Sequence, residues 1–190
     1  MNVTIEDEDG DVMEMRLEDS NEAIANTLRR AMMTKVPTLA VEELRVAKNE
    51  SALFDEVLAN RVGQVPFTIP DNVDEEDTVN IALKQEGPGT VLAEDLVAEN
   101  DEAEPVNPET AIVELKEDQA LEFEADARLG RGSEHAKHQG GTIGYEKVDD
   151  GEFLFRIEST SGYSNLELVE AAISEVKEEL DSFEEALEEL

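Results

Sequence analysis

LELVEAAISEVKEELDSFEEALEEL, residues 166–190, places an apolar side chain every three or four positions: Leu166, Val169, Ile173, Val176, Leu180, Phe183, Leu187 and Leu190. That spacing follows the 3.6-residue turn of an α-helix and gathers all eight along one seam. Ten acids and a single cation, Lys177, occupy the other faces. A helix of this length spans about 38 Å, roughly the width of a compact domain of this size. Such a seam outreaches its own core, so a partner helix is expected on it. An amphipathic helix lying entirely on its own core is the plainer alternative.

Strand-like segments lie upstream of this helix. Residues 142–148 and 152–159 read as a hairpin turning at Asp149-Asp150-Gly151, and residues 2–18 as another around Asp9-Gly10, with Val3, Ile5, Met13, Met15 and Leu17 alternating. Between them, Asp19, Ser20 or Asn21 caps a helix that runs to about Val36 and stops at Pro37. Its stripe is Ile24, Leu28, Ala31 and Met32, with Arg29 and Arg30 beside it. Residues 38–46 read as a strand. Residues 52–62 read as a second helix with Phe54, Val57, Leu58 and Val62 inward and Gly63 as its C′ residue. Short strands are expected near 78–84, 90–92, 112–115 and 121–127, separated by acidic loops at 71–77 and 94–108. The pattern is α+β, with long helices packed on an antiparallel sheet and a mostly β portion between.

Asp and Glu total 49 against 15 Lys and Arg, a formal net charge of −34. Near saturating salt the Debye length falls to about 3 Å or less and crowded carboxylates stop repelling one another, so a halophilic source is expected. An acidic histone-chaperone-like protein is the competing account of the charge. The chain holds no cysteine, which excludes disulfides and thiolate-held metals or clusters. The start, MNVTIEDEDGD, has neither a basic nor an apolar leader region, and no apolar run approaches the ~20 residues of a membrane span. A cytoplasmic protein without membrane contact is expected.

Two segments turn basic. RLGRGSEHAKHQ, residues 128–139, carries Arg128, Arg131, Lys137, His135 and His138 with one acid, Glu134; residues 23–41 carry Arg29, Arg30 and Lys35 with none. A polyanion that keeps compact cationic segments uses them against something specific, or else pairs them with its own carboxylates. His135 and His138 lack a third ligand at metal spacing, and Asp74, Glu75, Glu76 and Asp77 lack calcium-loop spacing. Gly130-Arg131-Gly132 lacks the third glycine of a phosphate loop, and no serine sits in a nucleophile-elbow sequence. No catalytic residue, metal site or cofactor is expected.

Several segments together resemble one family. EAIANTLRRAMMTKVPTLAV (22–41) resembles the first helix and following strand of the D subunit of archaeal RNA polymerase, the family of the eukaryotic third-largest subunit and the bacterial alpha N-terminal domain. LFDEVLANRVGQVPF (53–67) is similar to its LYDEILAHRLGLIP-type helix and strand. GPGT (87–90) and VNP (106–108) fit its turns, and 128–139 resembles its RLGxGxEHAKxQ signature. The resemblance implies a dimerisation domain at 1–46 and 142–190, interrupted by an insert domain at 47–141. It implies a heterodimer with subunit L through the first and last helices, by Ile24, Leu28, Met32, Leu166, Val169, Ile173, Val176, Leu180, Phe183 and Leu187. It also implies docking of the second-largest subunit on Arg29, Arg30, Arg128, Arg131, His135 and Lys137, with nucleic acid reached only through the complex. Longer members insert a ferredoxin-like domain with cluster-binding cysteines, and some carry a cysteine-bearing loop near 70–77. Both are missing here, so cluster-dependent assembly does not carry over. Residues and resemblance converge on a non-catalytic assembly subunit; a homodimeric acidic chaperone or coiled-coil adaptor is the rival, and an enzyme ranks third.

Overall fold

The computed structural model describes residues 1–8 and 10–188. In chain order the elements are β1 (Asn2–Asp7), β2 (Met13–Glu18), α1 (Glu22–Thr34), β3 (Pro37–Asn49), α2 (Asp55–Gly63), β4 (Val79–Glu86), β5 (Gly89–Leu92), β6 (Val97–Ala98), β7 (Ala111–Leu115), β8 (Ala120–Arg131), β9 (Gly141–Asp149), β10 (Glu152–Ser159) and α3 (Asn165–Glu188). Two compact units result, Met1–Pro37 with Arg131–Leu190, and Thr38–Gly130. The family resemblance implies cuts at 46/47 and 141/142. Those between the compact units fall earlier: Leu39 and Val41 of β3 are buried in the core of the second unit, and Arg131 bonds Lys35 and Glu175 of the first.

In the first unit an antiparallel sheet runs β1-β2-β10-β9. Alternation sends Met13, Met15 and Leu17 of β2 and Phe153, Phe155 and Ile157 of β10 to one face, where α1 and α3 cover them. On strand β2 between them, Arg16 binds Glu6 of β1 and Glu152 of β10, tying three strands together. Asn21 caps α1 by accepting the Ile24 N–H at 3.1 Å, one of the three candidates the sequence offers. The inner faces of the helices supply Ala25, Ala31 and Met32, and Leu168, Val169 and Ala172. Small residues let the backbone come close beneath α3: Gly140 and Gly141 lie against Leu168, and Gly140 also meets the Met32 carbonyl.

The second unit is mostly β, with a sheet β3-β8-β4-β6, a two-stranded ladder β5-β7 and the short helix α2. Its core includes Leu39, Leu58, Val62, Phe67, Ile81 and Phe123. Two inward expectations fail here. Phe54 is 79% exposed and Val57 is exposed as well. Phe54 precedes the helix with extended backbone (φ −71°, ψ 153°), so the i, i+4 line runs from Leu58 to Val62 and does not reach back to it. Gly63 closes the helix itself rather than following it. β8 also runs past the expected end at 127 to Arg131, so the first part of the basic segment is strand.

Candidate partner-binding surface

The first turn of α3 is fixed by its own side chains. Asn165 accepts the Ser159 N–H at 2.7 Å and donates to the Asp11 carbonyl at 3.1 Å. Ser164 and Glu167 cap each other reciprocally, and the Ser164 N–H holds the Glu167 carboxyl below its ordinary pKa. From there the seam divides. Val169 is buried and Val176 half-buried, whereas Leu166 and Ile173 are exposed, as are Leu180 (62%), Phe183 (63%) and Leu187. Leu190 lies outside the described residues. The reason is geometric: Leu168 and Ala172, which the seam omits, share the inward face with Val169. On α1, Met32 is buried, Leu28 half-buried and Ile24 exposed.

The last attachments of α3 to its own unit are Arg131 to Glu175 at 3.4 Å and Lys35 to Glu179. Every residue from 177 to 188 is exposed. About 18 Å of helix therefore projects with an apolar stripe on one side and Glu178, Asp181, Glu184, Glu185 and Glu188 around it. Carboxylates three or four apart repel, and an isolated stretch this short is marginal in water. Lowering salt from molar to about 0.1 M lengthens the Debye length from about 3 to about 10 Å. Circular dichroism is expected to lose helical signal in that range. Full helicity in dilute buffer would show that the acids serve a partner rather than the solvent.

The six basic-segment and helix residues expected at the docking surface have different surroundings. Arg29 donates to Asn26 Oδ1 at 3.2 Å and to Met33 Sδ at 3.1 Å. Arg30 is exposed and makes no ion pair among the described residues. Arg131 donates to the Lys35 carbonyl at 3.0 Å, beyond the end of α1, and reaches Glu175 on α3. It thereby joins the two helices and sits where a cation favours a helix C-terminus. This clamp is invisible to spacing, because it joins residues far apart in sequence. His135 is exposed and its Nδ1 accepts the Lys137 N–H at 3.2 Å, while His138 is buried. In the second unit, Arg128 donates to Thr78 Oγ1 at 3.1 Å.

The two roomiest of the hollows described on the second unit are open. One, of about 790 Å³, is lined by the loop acids Asp71, Asp77, Glu99, Asp101 and Glu102; the other, of about 700 Å³, is crossed by the Lys84–Glu122 pair. The first holds no histidine or serine and the second no hydroxyl or imidazole side chain. Among the described residues no group of three or more His, Cys, Asp or Glu could hold a metal ion. No helix there is long and apolar enough to cross a membrane.

Residues 40–150 match the family described as the RNA polymerase Rpb3/RpoA insert domain. Among similar proteins, the DNA-directed RNA polymerase subunit Rpo3 of Natronomonas pharaonis is 52% identical over 127 residues, covering 66% of this chain and 51% of that protein. The protein of the same name from Halobacterium salinarum is 46% identical over 127 residues, with the same coverage. That of Thermococcus kodakarensis is 45% identical over 129 residues, 64% of this chain and 50% of its own length. The chain spans about half the length of the relatives it matches.

Proposed function

The chain belongs to the RNA polymerase Rpb3/RpoA insert domain family, and from that membership we propose a non-catalytic assembly subunit of DNA-dependent RNA polymerase. Its first unit pairs with subunit L through α1 and α3, and the heterodimer is the platform on which the large catalytic subunits assemble. One observation carries the reading: α3 continues past its own core with Leu180, Phe183 and Leu187 exposed along one line. Exposed aromatic and aliphatic side chains in such a row mark a surface that is covered in the assembled state. A homodimeric chaperone would cover the same stripe with a second copy, but that would bring the carboxylates of two α3 helices together out of water with only Lys177 on each helix to pair them. Co-expression with subunit L is the test. Size-exclusion chromatography is expected to return a one-to-one complex, and a homodimer indifferent to subunit L would favour the rival.

The outward cations receive the second-largest subunit, and nucleic acid is reached only through the complex. A phosphate backbone gains little from a few arginines set among an excess of carboxylates, and less at high salt, whereas a protein surface can shield the acids and make directional guanidinium contacts. Arg30 and Arg128 are the residues to reverse. Arg30→Glu with Arg128→Glu is expected to leave the subunit L complex intact and to cut recovery of the second-largest subunit about tenfold, the effect of losing 1.4 kcal/mol. Equal recovery in a pull-down would return both to the status of ordinary surface cations. Arg131→Glu should behave differently, lowering the melting temperature of the isolated chain by freeing the α1–α3 clamp.

A further inference from the structure

The packed part of α3 is its first part. Leu168, Val169 and Ala172 are buried and Val176 is half-buried, whereas every residue from 177 to 188 is exposed. A rod held at one end leaves its far end under-determined. A tilt of about 20° at Glu179 displaces Leu187, about 12 Å further along, by about 4 Å. That is enough to take a side chain out of the hole it would fill on a partner helix. Packing on the sheet does not by itself fix the direction of the exposed stripe.

A ring of polar contacts supplies a second point of attachment, and it starts at the end of α1. The Ser133 N–H donates to the Thr34 carbonyl at 3.1 Å and Arg131 Nε to the Lys35 carbonyl at 3.0 Å. Two of the carbonyls that a helix end leaves without partners are thereby met by the end of β8 and the residues after it. Gly132 makes the close approach possible, since a Cβ there would stand 2.4 Å from the Met33 carbonyl oxygen. With its backbone held in this way, Lys35 directs its ammonium to Glu179. The Arg131 guanidinium reaches Glu175, one helical turn earlier on α3. The circle closes through the α3 backbone between the two carboxylates.

We propose that this ring is a positioning device: Lys35 and Arg131 set the direction in which α3 leaves its sheet, and so present Leu180, Phe183 and Leu187 to the partner already aligned. The inference rests on the assembly reading above, and it gives the two cations a role behind the stripe rather than at a docking surface. Near molar salt the Debye length is about 3 Å, so repulsion among separated carboxylates is screened and pairs in direct contact are what charge can still contribute. A helix aligned before encounter spares the partner the cost of ordering it, which raises the association rate.

The chain holds no cysteine, so Glu158→Cys on β10 and Glu185→Cys on α3, both exposed positions, give a single pair of spin-label sites. Label-to-label distances are measured in the full chain at high salt, and binding of subunit L is followed kinetically on the same background. Glu179→Lys sets a lysine against Lys35. It is expected to broaden the distance distribution and to weaken binding about fivefold, mostly through the association rate, with the melting temperature unchanged. Lys35→Glu combined with Glu179→Lys restores the pair with its charges exchanged, and is expected to recover most of both readings. An unchanged distance distribution in Glu179→Lys, or wild-type binding by it, overturns the proposal. So does a binding loss that the exchanged pair fails to recover, because Glu179 would then meet the partner directly. Failure of subunit L to bind the unaltered chain sinks the assembly reading instead, while the distances still decide whether the ring directs α3.

Discussion

Leu180→Asp and Phe183→Asp are each expected to abolish pairing with subunit L, a loss of at least about a hundredfold, while the isolated chain melts as before. The two halves of that expectation have separate causes. Both side chains are more than half exposed in the free chain, so replacing them removes little packing and buries no charge. In the proposed complex the same positions would lie under a partner helix, where an unpaired carboxylate costs several kcal/mol. Leu168→Asp provides the contrast, because Leu168 is fully buried within the unit and its replacement should unfold the unit before any partner is added. Calorimetric titration with subunit L, alongside thermal melts of each variant, separates the cases. Pairing at wild-type strength by either seam variant would show that the stripe is not the partner surface.

The division of the α3 seam shows how far the sequence could be read. Spacing of three and four residues identifies the line on which Leu166, Ile173, Leu180 and Phe183 fall. It does not say where the supporting sheet ends, and that end decides which members are buried. Val169 and Ile173 are equivalent in sequence, yet one rests on the core and the other faces solvent. The same limit applies at Phe54. A large aromatic beside a helical run reads as core, but a helix beginning at Asp55 leaves it outside the i, i+4 line that Leu58 and Val62 bury. A strand is expected to end near 127, whereas β8, with Leu121, Phe123, Ala125 and Ala127 buried in alternation, runs on to Arg131. Family resemblance supplies what spacing cannot. The 128–139 motif places the chain in its family, although Arg131 turns inward to clamp two helices in this structure. The exposure of Val3 and Ile5 is legible in neither way, because alternation predicts a buried side without showing how far the helices cover the sheet.

Gly140→Ala is expected to destabilise the first unit by about 3 kcal/mol, lowering the melting temperature by about 10 °C. A Cβ at this position would stand 2.4 Å from the Met32 carbonyl oxygen and 2.8 Å from Leu168 Cδ1. The Leu168 methyl could rotate aside, but the carbonyl belongs to the backbone of α1 and can yield only if the helix shifts. Moving α1 outward also disturbs Ala31 and Met32, which are fully buried beside Leu168 and Ala172. Gly144→Ala on the neighbouring stretch of β9 is the control, since nothing lies within 4 Å of its added Cβ. It should melt like the wild type or slightly higher, because alanine restricts the unfolded chain more than glycine does. Thermal melts of both variants at one fixed, high salt concentration test the pair. Subunit L binding by Gly140→Ala should fall only as the fold is lost, recovering at lower temperature, whereas the Leu180→Asp defect persists at every temperature. Equal melting of Gly140→Ala and the wild type would mean that α1 has room to move, and that its spacing from α3 is not set by the glycine beneath them.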